Sequence, residues 1–254
     1  MSQTEPLLEL DGLSKAFGGL KVTDNVSFKV RPGEMSAIIG PNGAGKTTLF
    51  NQITGHLKPD GGRIVFNGVD VAGMSTQQIV GMGMGRAFQV ASLFLGETVL
   101  DNVRVACLSK LDQTRRPLRP VSEFKRATTR AMDILESLGL ARYADRQAHE
   151  LAHGDQKLLD IGIALALEPM LLMLDEPTSG MSPEERHLTR ELVLKLWKDF
   201  NLTLVFIEHD MDTVFGLAQS VRVLQSGRLL ADGTPDEIRN NPEVITAYLG
   251  EEVA

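Results

Sequence analysis

Apolar positions along this chain fall into two alternating patterns. Short apolar, β-rich runs predict strands near Leu7–Leu13, Val26–Val30, Met35–Ile39, Arg63–Phe66, Leu171–Asp175, Thr203–Ile207, Ser220–Gln225 and Arg228–Ala231. Between about Thr98 and Leu167 the strand signal vanishes, and helical spacing predicts helices over Thr98–Ser109, Ser122–Leu138 and Gln156–Leu167. The Pro- and Arg-rich segment Lys110–Pro120 reads as a loop, and two short helices, near Pro235–Arg239 and Pro242–Leu249, finish the chain. The early strands are joined by short polar turns and read as a small antiparallel β region. The later runs read as a mostly parallel sheet with covering helices, because strands buried on both faces are apolar throughout. The pattern therefore predicts an α/β fold with an N-terminal antiparallel β subdomain and an inserted α-helical subdomain. No internal repeat or low-complexity tract interrupts it.

Composition narrows the function classes. The chain has 254 residues and a formal net charge of −7, and no long stretch is strongly basic, which argues against a nucleic-acid partner. Its one cysteine, Cys107, excludes an internal disulfide and fits a reducing compartment. The first ten residues have no basic or apolar signal-peptide region, and the longest apolar runs are far too short to span a bilayer. The expectation is a soluble chain whose membrane role, if it has one, comes through a partner.

Two motifs carry chemistry. Gly40-Pro41-Asn42-Gly43-Ala44-Gly45-Lys46-Thr47, followed by Thr48, fits the phosphate-loop pattern between the strand ending at Ile39 and a helix starting at Lys46–Ile53. Its glycines let successive N–H groups face a phosphate, and the helix N-terminus adds its positive end. Lys46 would reach the β- and γ-phosphates of ATP, and Thr47 would ligate Mg²⁺. The second motif is the apolar strand Leu171–Leu174 ending in Asp175-Glu176. Ligands bind at the C-terminal ends of parallel strands, so Asp175 is placed to hold Mg²⁺ and Glu176 to orient or deprotonate the attacking water.

With these motifs in place, the sequence from about Leu7 to Gly250 resembles the ATP-binding subunits of ABC transporters, which have a phosphate-loop NTPase core. The resemblance implies one domain over 1–254: a β region and nucleotide core over about 1–95 and 168–232, a helical subdomain over about 96–167, and C-terminal helices over 233–254. It implies that Gln89, in Arg86-Ala87-Phe88-Gln89, joins the Mg²⁺ shell and links the site to a membrane partner, and that His209 contacts the γ-phosphate. Phe17 occupies the place of the residue that stacks on adenine, the alternative being a core Phe. Ser179-Gly180-Met181 matches the loop that crosses to the partner subunit.

The family signature usually reads Leu-Ser-Gly-Gly-Gln, and here it is Leu151-Ala152-His153-Gly154-Asp155. In the family this segment binds the ATP of the opposite subunit. Ala152 lacks the serine hydroxyl and Asp155 adds a negative charge, although helix N–H groups after Gly154 remain available.

Phe17–Leu20, Gly180–Glu185 and the ending Gly233–Ile238 with Ala247–Gly250 resemble the ATPases of branched-chain (hydrophobic) amino-acid uptake systems. That resemblance implies a homodimer or a heterodimer with a second ABC ATPase. It also implies two transmembrane permease subunits, a solute-binding protein acting indirectly, and a peripheral position on the cytoplasmic face of the inner or plasma membrane. Urea or amide importers and lipopolysaccharide-export ATPases look much alike. A regulatory ABC ATPase with little turnover, or an ABC protein of translation or DNA repair, is a further alternative. The single phosphate loop and the lack of a heptad run count against the last of these.

Overall fold

Alternate residues of the central strands enter two different hydrophobic cores, which explains why those strands are mostly apolar on both faces. In β3 (Met35–Ile39), Ala37 and Ile39 face one core and Ile38 the other. In β7 (Leu171–Asp175), Leu172 and Leu174 face one core and Leu171 and Met173 the other. In β8 (Thr203–Ile207), Leu204 and Phe206 divide from Val205 and Ile207 in the same way. A strand with both faces dry gains nothing from polar alternation.

The computed structural model describes residues 5–87, 93–111 and 124–249. Gln89 and most of the predicted Lys110–Pro120 loop lie outside the described residues. A six-stranded sheet runs in the order β10 (Arg228–Gly233), β9 (Ser220–Gln225), β3, β8, β7, β6 (Met84–Ala87). All its pairs are parallel except β9–β10, a hairpin made by the turn at Ser226–Gly227. A four-stranded antiparallel sheet, β2 (Leu20–Val30), β1 (Leu8–Phe17), β4 (Gly61–Phe66) and β5 (Val69–Asp70), packs across it. The second core lies between the sheets, where Leu8, Leu10, Ile64 and Phe66 meet Ile38 and Val205 around α1 (Lys46–Ile53).

On the other face α3 (Val99–Lys110), α4 (Lys125–Ser137) and α5 (His153–Ala166) pack together through Val103, Ala131, Ile134, Leu159 and neighbouring residues. They form the inserted helical subdomain. α4 begins at Lys125 rather than Ser122, and α5 begins three residues earlier than its apolar periodicity suggests, because the polar run His153–Gln156 is already helical.

Several elements are absent from the sequence reading. Strand β6 carries only Met84-Gly85-Arg86-Ala87 and forms one edge of the sheet against β7. Helices α2 (Thr76–Gly81), α6 (Pro183–Asp199) and α7 (Met211–Leu217) are short or largely polar. For α6 a sequence signal does exist: Ser182 and Glu185 form a reciprocal capping box, with Pro183 in the first turn. After α7 the chain ends in β9, β10, α8 (Pro235–Arg239), α9 (Pro242–Val244) and a π turn at Ile245–Leu249.

One buried cation joins the two sheets. Arg222 of β9 is 3 % exposed. Its guanidinium donates to the Lys29 carbonyl of β2 and to Ser36 of β3, pairs with Glu34 at 3.2 Å and Asp232 at 3.4 Å, and lies 4.8 Å from the Phe28 ring centroid. Removing it leaves acceptors buried between the sheets without a donor. Arg222→Ala is expected to lower stability by about 3 kcal/mol, read as a reduced midpoint in urea unfolding; a loss under about 1 kcal/mol would show that water replaces the guanidinium.

Candidate nucleotide site

β3, β7 and β8 end at the same sheet edge, and each passes directly into a polar segment. After Ile39 the loop Gly40–Gly45 turns into α1 through backbone angles that only glycine supports comfortably. Gly40 has φ +149° and Gly45 has φ +101°. A Cβ at Gly40 would collide with the Leu224 carbonyl, and one at Gly45 with the Val22 carbonyl. The loop is therefore seated between β9 and β2, and its glycines are required by close backbone approach as well as by φ.

The first intrahelical bond of α1 runs from Leu49 N to Gly45 O at 2.8 Å, so the N–H groups of Lys46, Thr47 and Thr48 face out from the helix end. No acidic residue lies in that first turn and no side chain caps it. Lys46 is 7 % exposed and folds back over the loop, donating to the carbonyls of Gly40 at 2.6 Å and Pro41 at 3.0 Å. Burial pushes its pKa down, against the opposing pull of Glu176 and Asp175. The structure thus brings Lys46 and the two carboxylates of the second motif into one electrostatic neighbourhood.

Asp175 is the last residue of β7, paired in register with Ile207. Its Oδ2 accepts from Arg86 at 2.8 Å, and both side chains are buried. Arg86 also donates to Asn51 and Thr54 at the far end of α1, so the guanidinium fixes Asp175 relative to the phosphate-loop helix. Among the described residues no cluster of three or more His, Cys, Asp or Glu side chains could form an all-protein metal cage. One hydroxyl and one carboxylate at a phosphate loop suit a hard divalent cation that takes its remaining ligands from phosphate and water, as Mg²⁺ does.

Glu176 follows with φ +52°, a left-handed conformation uncommon for a side chain of this size. Its N–H donates to the Ile207 carbonyl at 3.0 Å, which carries the end of β7 onto the end of β8. That turn leaves Glu176 Oε1 3.1 Å from His209 Nε2. An ionised carboxylate only accepts, so this contact requires the proton on Nε2. Glu208, between Ile207 and His209, is buried. It accepts from Thr178 N at 2.8 Å and Thr178 Oγ1 at 2.5 Å through one oxygen, and from His209 N at 3.1 Å through the other.

The segment Ala152–Asp155 starts α5, with Ala152 as an uncapped N-cap residue. Ala152 and His153 are exposed, whereas Gly154 and Asp155 are half-buried. Burial raises the pKa of Asp155, with Glu185 acting in the same direction and Arg142 opposing. Met181 packs against Gly154, since a Cβ there would lie 3.6 Å from its Cε, so the loop after Glu176 touches the start of α5. Phe17, at the end of β1, is 50 % exposed with Lys15 Nζ 5.6 Å from its ring centroid; it is not a core residue.

Three contributors were missed in the sequence. Arg86 has no signal in the sequence beyond its place three residues before Gln89. Glu208 precedes a more conspicuous histidine. Lys157 donates from α5 to the Glu176 carbonyl at 3.2 Å and the Ser179 carbonyl at 2.5 Å. Its signal was present: Lys157 shares helical spacing with Ile161 and Ala164, and a lysine in a core-facing stripe needs acceptors.

Comparison with known proteins shows what the chain is similar to. The family described as "ABC transporter" matches residues 23–179, and that described as "Branched-chain amino acid ATP-binding cassette transporter" matches residues 228–254. The high-affinity branched-chain amino acid transport ATP-binding protein LivG of Salmonella typhimurium is 45 % identical over 253 residues, covering 98 % of this chain and 99 % of LivG. The corresponding BraF protein of Pseudomonas aeruginosa is 40 % identical with the same coverage. The ADP conformation of MJ1267, an ATP-binding cassette of an ABC transporter, superposes with a TM-score of 0.85 at 32 % identity, covering 97 % of this chain and all of that one.

Lys46 is a cation held against the loop, through the Gly40 and Pro41 carbonyls. Lys46→Ala is expected to weaken nucleotide binding by about 10- to 100-fold, the worth of one or two charge-assisted hydrogen bonds. Titration with a fluorescent ATP analogue checks this, and unchanged affinity would contradict the assignment of the loop.

Proposed function

Because the chain belongs to the ABC transporter family as an ATP-hydrolysing subunit, we propose that it drives uptake of branched-chain or other hydrophobic amino acids through permease partners. The observation that carries the chemical part is the Glu176–His209 pair at 3.1 Å, held at the sheet edge beside Asp175 and the phosphate loop.

ATP enters with its adenine against Phe17 and its phosphates over Gly40–Thr48. Lys46 exchanges the Gly40 and Pro41 carbonyls for β- and γ-phosphate oxygens, a move its flexible stem permits. The outward N–H groups of Lys46, Thr47 and Thr48 meet the same anion. Thr47 and Asp175 would hold Mg²⁺, with Gln89 as a further contributor. When bound, Mg²⁺ supplies charge neutralisation on the phosphate oxygens. Glu176 accepts a proton from the attacking water while His209, donating from Nε2, keeps the carboxylate oriented and then serves the γ-phosphate. Water adds to phosphorus, the bond to the β–γ bridging oxygen breaks, and ADP and phosphate leave.

The signature segment reaches the ATP of a second subunit, in a homodimer or with a sister ATPase. Helix N–H groups of α5 supply the contact, without a hydroxyl from Ala152 and against the charge of Asp155. Among the described residues no helix is long and apolar enough to cross a membrane. Attachment to the cytoplasmic face therefore falls to two permease subunits, supplied by a solute-binding protein. The amino-acid assignment is supported by the names of the LivG and BraF relatives and by the match over residues 228–254.

Glu176→Gln is expected to retain ATP but lower phosphate release by about 10²- to 10⁴-fold and to accumulate an ATP-bound dimer in size-exclusion chromatography. Unaltered phosphate release would remove Glu176 from the chemistry. Deleting the gene should abolish high-affinity uptake of labelled leucine, isoleucine and valine by intact cells. Loss of urea or amide uptake with intact leucine uptake would overturn the substrate assignment.

A further inference from the structure

Glu176 is held in its left-handed conformation from two sides. Its N–H is fixed by the Ile207 carbonyl at 3.0 Å, at the end of the parallel sheet. Its carbonyl is fixed by the ammonium of Lys157 at 3.2 Å, from a helix on the other face of that sheet. The same ammonium takes the Ser179 carbonyl at 2.5 Å, and Ser179 N closes back onto the Glu176 carbonyl at 3.2 Å. Lys157 therefore clasps both ends of the turn that begins at Glu176.

This lysine is 6 % exposed, an expensive place for a cation. Burial depresses its pKa, while the nearby carboxylates of Glu208 and Glu176 favour its charged form. Glu208 holds the same turn by another route, through Thr178 N and Oγ1. Four residues before Lys157, on the same face of α5, His153 begins the helix, and its ring would be 3.9 Å from a Cβ at Gly180. The start of α5 and the turn after Glu176 are thus joined by a charged clasp and by packing.

We propose that Lys157 is a positioning residue for Glu176, holding its main chain so that the carboxylate stays against His209, and tying that posture to the placement of α5. A non-glycine residue at positive φ relaxes unless both of its flanking peptides are restrained. With the clasp cut, the Glu176 carbonyl keeps the Ser179 N–H but loses its tie to α5, and the carboxylate shifts from its 3.1 Å contact with His209. Because the clasp rises from the helix that starts with Ala152–Asp155, a ligand bound at that helix start and hydrolysis at Glu176 become mechanically linked within one chain.

The inference rests on the reading of Glu176 as the hydrolytic carboxylate, so the test runs both residues in the full-length chain. Lys157→Met keeps the aliphatic stem and removes the donors. It is expected to lower kcat by about 10- to 100-fold, the scale of an ångström-sized misplacement, while affinity for a fluorescent ATP analogue changes by less than about twofold. Lys157→Arg, which can still donate to two carbonyls, should recover most of the loss. If K157M does not fold, K157Q takes its place, with a smaller kcat loss expected at unchanged affinity. Wild-type kcat in K157M or K157Q alongside an inactive E176Q overturns the proposal and leaves the role of Glu176 standing. Equal losses of kcat and nucleotide affinity overturn it too, since they mark a merely structural lysine. Full turnover in E176Q instead removes the reading beneath it.

Discussion

The register between β7 and β8 is the constraint on which the site depends. Asp175 lies opposite Ile207, so the next residue of each strand leaves the sheet at the same level, and Glu176 N reaches back to the Ile207 carbonyl. His209 follows Ile207 by two residues and Glu176 follows Asp175 by one, and these offsets bring the two side chains together. A shift of one residue would exchange the faces of Leu172, Leu174, Leu204 and Phe206 with those of their neighbours, inverting the packing of both cores. Hydrophobic burial on two faces therefore sets the position of the polar pair with a stiffness that the 3.1 Å contact could not provide alone.

The phosphate loop obeys the same sheet from another strand. β3 lies between β8 and β9, and Gly40 leaves it under the Leu224 carbonyl of β9, where any side chain would clash. Gly227 N donates to the Ala44 carbonyl and Asp24 N to the Gly227 carbonyl, so the β9–β10 turn buttresses the loop and ties it to β2. Arg222 fastens the same sheets farther along β9. Rigidity at the anion site is thus borrowed from packing between two sheets rather than generated within a glycine-rich segment.

How far the chain could be read from its sequence follows from which forces act locally. The strands at Met35–Ile39, Leu171–Asp175, Thr203–Ile207 and Ser220–Gln225 were legible to the residue, because burial on both faces keeps their interiors mostly apolar, with Ser36 and Arg222 as buried exceptions. Edge strand β6 was not, since Gly85 and Arg86 interrupt it and its pairing with β7 is a long-range contact. The short β5 hairpin partner and the mostly polar α6 were obscured for related reasons, although the Ser182–Glu185 box marked where α6 starts. Asp175, Glu176, Lys46 and His209 stood out because each ends or follows a conspicuous element. Arg86 and Glu208 did not, because their roles consist of contacts to atoms far away in the chain, a carboxylate and a threonine, and Lys157 shows only as a lysine in a core-facing stripe, its two carbonyl partners lying in another element.

The start of α5 shows how a helix end divides its electrostatic capacity. A serine N-cap would both satisfy helix N–H groups and offer a hydroxyl outward; Ala152 does neither, at a cost of about 1 kcal/mol to the helix. Part of that is recovered within the chain. Asp155 places an acid in the first turn, where the dipole favours it, and Gln156 donates to the Leu151 and Ala148 carbonyls, closing the preceding loop. An acid that answers the dipole internally also reduces what the dipole can offer to an external phosphate. Burial raises the Asp155 pKa and so works against that charge. In the proposed dimer this helix end would then be held in place chiefly by its own contacts, among them Met181 on Gly154 and the Lys157 clasp, rather than by the anion it meets. Its main contribution to the opposite site would be shape, a preformed row of N–H groups, with most of the attraction for ATP coming from the phosphate loop that faces it.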